Sequence, residues 1–332
     1  MPVRRVLFAI RDPLAARQPG LTKAIQVARA QDATLELFHA LTDPIYIESA
    51  RLEDADVDRR RERAEEEMRI PLARLCTLAR RHGVTATSTV TWDYPAHEAV
   101  VRRAALIGAG LIIAECHRGA RTRPWLIHLT DWELLQTSPL PVLLLRNGKP
   151  WRRPVVMAAV DPTHAHAKTS ALDTRIVAAA RDFGQRLHGT MHVMHAAHPP
   201  MLASIRGAPV AGNALTWSTM TYAAYQEEAR IAFATFFKGE GILASRAHLV
   251  PGDPAAEIPR LAKELRAKIV VMGAVSRSGL KRMFIGNTAE RALESIPCDV
   301  LVVKPGGFHT SIEERARGMR VEVPAPLALT AP

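Results

Sequence analysis

Cysteine is scarce in this chain: Cys76, Cys116 and Cys298 are the only three among 332 residues. They are odd in number and far apart, and no CxxC or Cys/His finger spacing occurs. A disulfide framework and a structural zinc site are therefore unsupported, and the reducing cytoplasm is the expected location. Aromatic residues are also few, at 5%, and none interleave with the mixed-charge run Arg59 to Glu67, so a stacking platform for RNA is not indicated. No apolar run approaches the roughly 18 residues that span a bilayer. The opening stretch Val6 to Ile10 is too brief for a signal segment and is closed at once by Arg11, Asp12 and Pro13. Membrane insertion is not expected.

Catalytic machinery is missing as well. No nucleophile stands beside a base, no carboxylates pair, and no Lys-Ser/Thr of the Walker type follows a glycine loop, so catalysis is not expected. What is present is ample core material, with 48% hydrophobic and 23% charged residues. At roughly 100 to 200 residues per domain, the length suggests two domains. The net charge of +11 raises acidic ligands and nucleic acid as partners. The surplus is divided between both halves and the tail carries none of it, so nucleic acid is not the expected partner.

The second half of the chain repeats the first. Val6 to Pro13 lies over Val155 to Pro162, each an apolar run closed by Asp-Pro. Thr34 through Ala40 matches Thr190 through Ala196, and Pro95 to Glu98 matches Pro254 to Glu257. Leu111 to Ala114 matches Ile269 to Met272, and Pro139 to Leu144 matches Pro297 to Val302. Short aliphatic runs alternate with stretches of helical period. Leu172, Ile176, Ala180, Phe183 and Leu187 form one helix face, and Pro95 and Pro254 mark helix starts. Near-continuously apolar runs imply parallel strands covered on both faces. The expected class is α/β, with two tandem doubly wound, Rossmann-like, parallel five-stranded sheets. Domain 1 spans 1–147, domain 2 spans 154–306, a short linker runs from Asn147 to Arg153, and 307–332 is an irregular tail.

After the fourth run of the second half comes a glycine-bearing loop, Gly273-Ala274-Val275-Ser276, continuing to Gly286-Asn287-Thr288. Leading into a helix, such a loop aims free amides and a helix N-terminus at an anion. Asp161 ends the first strand on the same edge, where open α/β sheets bind ligands. At these residues both halves, 4–146 and 154–305, resemble the universal stress protein family. Its nucleotide-binding members carry G-x2-G-x9-G-[ST] between the fourth strand and the last helix.

The resemblance implies a cytoplasmic stress-response protein without a settled chemical activity, of the tandem type whose two domains pack as an internal pseudo-dimer. It implies a small-molecule ligand for domain 2 and contact of Asp161 with a nucleotide base or ribose. The candidate ligand set is Asp161, Met272, Gly273, Ser276, Gly286, Asn287 and Thr288. Ser276 stands where the family has its middle glycine and Asn287 where it has a hydroxyl, with Thr288 one step later. ATP is thus a candidate cofactor of domain 2 and not an assured one, and an ATP-binding switch is the alternative reading. In domain 1 the corresponding residues are Glu115, Arg118, His128 and Leu129, and a carboxylate there repels phosphates.

His192, His195 and His198, with His164 and His166, suggest a metal only at first sight. Residues three apart on a strand face opposite ways, and no metal is assigned. Between His198 and Tyr225 a long segment carrying Met201, Leu202, Ile205 and Leu215 reads equally as a loop over a hydrophobic ligand pocket or as one covering the domain interface. Association of whole chains into homo-oligomers is left open.

Overall fold

In a computed structural model of the chain, residues 3–42, 45–48, 54–116, 129–163, 170–198, 214–274, 287–316 and 320–323 are described. They fall into two compact units. Unit 1 comprises Met1–Glu115, Leu129–Ser138 and Thr310–Pro332, and unit 2 comprises Cys116–His128 and Pro139–His309. The strand that closes the first repeat counts with unit 2, and the C-terminal stretch with unit 1. Among the described residues no helix is long and apolar enough to cross a membrane.

Unit 1 begins with β1 (Arg5–Ala9), α1 (Pro19–Gln31), β2 (Thr34–Leu41), β3 (Ile45–Glu48), α2 (Asp54–Arg81), β4 (Ala86–Trp92), α3 (Ala96–Leu106), β5 (Leu111–Glu115) and α4 (Leu129–Thr137). β1 pairs in parallel with β2 on one side and β5 on the other, and β2 pairs in parallel with β4. Val6, Leu7 and Phe8 are fully buried, as a central strand covered on both faces requires. Pro95 is the N-cap of α3, one position before the helix proper.

Unit 2 contains β6 (Val142–Leu145), β7 (Val155–Val160), α5 (Ser170–Arg186), β8 (Thr190–Ala197), α6 (Ala214–Gly239), β9 (Ala247–Pro251), α7 (Pro254–Glu264), β10 (Ile269–Gly273), α8 (Asn287–Ser295) and β11 (Asp299–Val303). The order is β6-β11-β10-β7-β8-β9. All neighbours are parallel except β6, which runs antiparallel to β11. These two strands close the first and second repeats. The helix face read from periodicity is the buried face of α5, with Leu172, Ile176, Ala180 and Phe183 all at most 5% exposed and Leu187 packed just beyond its end. Pro254 opens α7, whose Asp253 cap accepts from the Ala255 N–H at 3.0 Å, a favoured start.

Two expectations are corrected here. The segment before Tyr225 is not all loop: α6 starts at Ala214 and takes in Leu215, and its later turns bury Ala229 and Phe233, four apart on one face. The Pro and Gly residues that suggested a loop precede it. Met201, Leu202 and Ile205 lie outside the described residues. The C-terminal stretch is not wholly irregular either, since β12 (Arg320–Val323) pairs in parallel with β3. Four residues are too few to register as a period, and the pairing partner is remote in sequence. Arg102 of α3, held by Asp93 and Glu98, also donates to the Glu313 carbonyl at 3.2 Å and ties this stretch to unit 1.

The linker is anchored at both ends by one buried carboxylate. Asp299 accepts from the Arg146 N–H at 2.7 Å and from Trp151 Nε1 at 2.9 Å. A buried carboxylate needs such donors to offset its lost hydration.

Candidate functional site

In unit 2 the strand order reverses between β10 and β7, which pair with Val271 opposite Ala158. Residues just past the ends of these strands therefore converge at the crevice where doubly wound sheets bind ligands. Asp161, immediately after β7, stands there. Its Oδ1 accepts from Thr163 Oγ1 at 2.7 Å, and its N–H donates to Asp173 Oδ1 at 3.0 Å. His195 of β8 is oriented by its Nδ1 contact with the Val160 carbonyl at 3.1 Å, which leaves that nitrogen 4.0 Å from Asp161 Oδ1. Asp161 Oδ2 is buried and has no hydrogen-bond partner among the described residues. Such an oxygen is an acceptor waiting for a donor.

Tyr225 of α6 closes this side, with its hydroxyl donating to the His198 carbonyl at 2.9 Å. Burial pushes the phenol pKa up, a hydrogen bond with Thr163 opposes the shift, and the Asp161 charge adds to it. Tyr225 is thus neutral and able to donate at physiological pH.

Gly273 ends β10. A Cβ there would lie 2.8 Å from Leu172 Cδ2 and 3.1 Å from Ile176 Cδ1, both on α5. Two α5 side chains occupy the space that a side chain at this position would take. Met272 beside it is buried. Asn287 and Thr288 form the first turn of α8, where amide donors lack intrahelical acceptors. Ser276 and Gly286 lie outside the described residues.

The equivalent place in unit 1 is built differently. Glu115 ends β5, and its Oε1 accepts from the Gly20 N–H at 2.5 Å in the first turn of α1. The N-cap, Gln18, makes no side-chain capping hydrogen bond to the helix, so Glu115 does that work from a distant strand. A Cβ on Gly20 would meet Glu115 Oε1 at 2.5 Å and Cγ at 2.7 Å. Buried Leu21, Ala24, Val27, Ala28 and Gln31 of α1 correspond in spacing to Val177, Ala180, Phe183, Gly184 and Leu187 of unit 2. In that register Gly20 corresponds to Ile176, and Glu115 to Gly273. One contact is filled from the strand in unit 1 and from the helix in unit 2. Asp12, the counterpart of Asp161, spends its Oδ1 on the Leu14 N–H at 2.9 Å, as a turn residue does.

Residues 2–146 and 155–304 each match the universal stress protein family. The chain belongs to the universal stress protein family. It carries two such domains in tandem, and it is similar to universal stress protein E of Escherichia coli K12, 24% identical over 323 residues that cover 94% of this chain and 98% of the relative. The universal stress protein E homolog of Haemophilus influenzae is 29% identical over 181 residues, covering 53% of this chain and 55% of that one. Among solved structures, a putative universal stress protein from Pseudomonas aeruginosa UCBPP-PA14 superposes with a TM-score of 0.68 at 27% identity, over 91% of this chain and 94% of its own. A universal stress protein from Archaeoglobus fulgidus shares the fold at a TM-score of 0.57, with 17% identity and coverage of 91% and 97%. The chain is a tandem stress-response protein of the universal stress protein E kind.

Sequence reasoning placed Asp161 and Gly273 of this universal stress protein together, and the register agrees. It missed Thr163, Asp173, His195 and Tyr225 around Asp161, and Gly20 opposite Glu115. Only Gly20, directly after a helix-starting Pro19, carried a local signal. His192 pairs with His248 of β9, Nδ1 to Nε2 at 2.9 Å, while His195 turns to Val160. Among the described residues no three His, Cys, Asp or Glu side chains gather as a metal site. His164 and His166 lie outside them.

Proposed function

We propose that this universal stress protein is a cytoplasmic ligand-binding protein with one small-molecule site per chain, in the crevice of unit 2. The observation that carries the reading is the buried, unpartnered Oδ2 of Asp161 at the strand-order reversal, with the Thr163 and Tyr225 hydroxyls beside it. A ligand with hydroxyl or amino donors, as on a ribose or an adenine, satisfies that oxygen. The first turn of α8 offers amides to its phosphates. Glu115 fills the matching place in unit 1 and sets a negative charge where a phosphate would approach.

The test is native mass spectrometry of freshly purified protein, followed by titration with ATP. One nucleotide per chain, lost in Asp161→Ala, agrees with the reading. Two equivalents, or binding that survives Asp161→Ala, overturns it. ATP acting as a conformational switch is the second reading, and it requires that ATP change hydrogen exchange in α8.

A further inference from the structure

At the opposite, amino-terminal edge of the unit 2 sheet lies a cleft of about 200 Å³. Arg181 of α5, Met191 at the start of β8, Gly241 and Ile242 after α6, and Leu243 and Arg246 before β9 form its walls. It shares no residue with the Asp161 crevice. Gly241 on its wall has φ +66°, and the position a Cβ would take meets nothing within 4 Å.

The two guanidiniums differ in their neutralisation. Arg181 Nη2 donates to the Glu240 carbonyl at 2.6 Å and lies 3.5 Å from Glu240 Oε2. Arg246 is exposed and makes no ion pair or side-chain hydrogen bond among the described residues. Its uncompensated charge is felt locally: burial, then His248, then Arg246 hold the His192 pKa below its ordinary value. The cleft therefore has one net positive charge, carried on a planar fork suited to a carboxylate. Around it stand Met191, buried Ile242 and the exposed apolar side chain of Leu243, which is 64% exposed.

We infer that this cleft is a binding site for a small aliphatic carboxylate, with the carboxylate on Arg246 and its short chain against Met191, Ile242 and Leu243. One free guanidinium matches a monoanion. A phosphate monoester would bring a second charge that Arg181, already shared with Glu240, answers only in part. The volume suits a few carbon atoms and excludes a nucleotide, for which pockets of roughly 300 Å³ or more are usual.

The experiment is calorimetry and ligand-observed NMR with butyrate at low ionic strength, with inorganic phosphate as the comparison anion. Saturable butyrate binding is expected, tighter than phosphate. It weakens at least roughly tenfold in Arg246→Ala, the value of a lost charge-assisted hydrogen bond. Glu240→Gln, which removes the counter-charge beside Arg181, tightens it, and Asp161→Ala leaves it unchanged. Arg246 is a surface residue, so a circular dichroism spectrum like the parent's is expected of its variant. No saturable butyrate binding, equal affinity in Arg246→Ala, or phosphate binding as tightly as butyrate overturns the proposal.

Discussion

The Glu115 carboxylate at the end of β5 and the Gly20 N–H in the first turn of α1 are joined by a 2.5 Å hydrogen bond across 95 residues of sequence. A helix whose N-cap residue makes no side-chain cap thereby receives both an acceptor and a favourable charge. Glu115→Ala is expected to destabilise unit 1 by about 1–2 kcal/mol, and Glu115→Gln, which keeps an acceptor, by less. Amide exchange of α1 during chemical denaturation reads the loss. Unchanged protection at Gly20 in Glu115→Ala would show that the carboxylate is not its cap.

The reciprocal filling of this contact gives a double-mutant test. Gly20→Ile alone collides with Glu115, and Glu115→Gly alone leaves α1 uncapped and a void. Together they install the pair that unit 2 uses, Ile176 with Gly273. Each single change is expected to destabilise, and the double to recover part of the loss, with a coupling of about 1–3 kcal/mol. Additive losses would show that the two contacts are not equivalent.

Asp299 is the buried acceptor for both ends of the linker. Asp299→Ala strands the Trp151 indole N–H and the Arg146 N–H, and about 2–3 kcal/mol of destabilisation is expected. Trp151 emission reports the change directly, shifting to the red as its surroundings loosen.

Lys304, at the end of β11, is 2% exposed, with its ammonium 5.0 Å above the Phe308 ring. Burial lowers its pKa from 10.5 to about 8. Between those values the unfolded chain holds a proton that the folded protein has released, so stability rises with pH across that window. Below about pH 8 the buried charge costs about 3 kcal/mol. Lys304→Met is expected to be more stable than the parent near neutral pH, with an advantage that shrinks as pH rises toward 10. Urea denaturation at several pH values measures it, and an advantage independent of pH would contradict the assignment.

The repeat, the alternation of strands and helices, and the helix face from Leu172 to Leu187 were legible because each rests on local period or on self-similarity. So was the convergence of Asp161 and Gly273, which follows from strand order alone. The residues around Asp161 were not legible, because Tyr225 arrives from α6 and His195 from β8, brought in by tertiary packing that no local pattern records. Gly273 answers to two demands at once. It sits where a phosphate loop wants glycine, and Leu172 and Ile176 of α5 occupy the space that a side chain there would take. Glu115 was legible as a charge unsuited to phosphate, but its bond to Gly20 depends on the end of β5 meeting the start of α1. The strand β12 escaped because its partner lies 275 residues away in sequence.

The central claim is one ligand site per chain, in unit 2, with the matching place in unit 1 held by Glu115. Counting bound ATP by native mass spectrometry in the parent, Asp161→Ala and Glu115→Gln tests it most directly. The account predicts one nucleotide in the parent and in Glu115→Gln, and none in Asp161→Ala. Two nucleotides in the parent, or one that persists without Asp161, would contradict it.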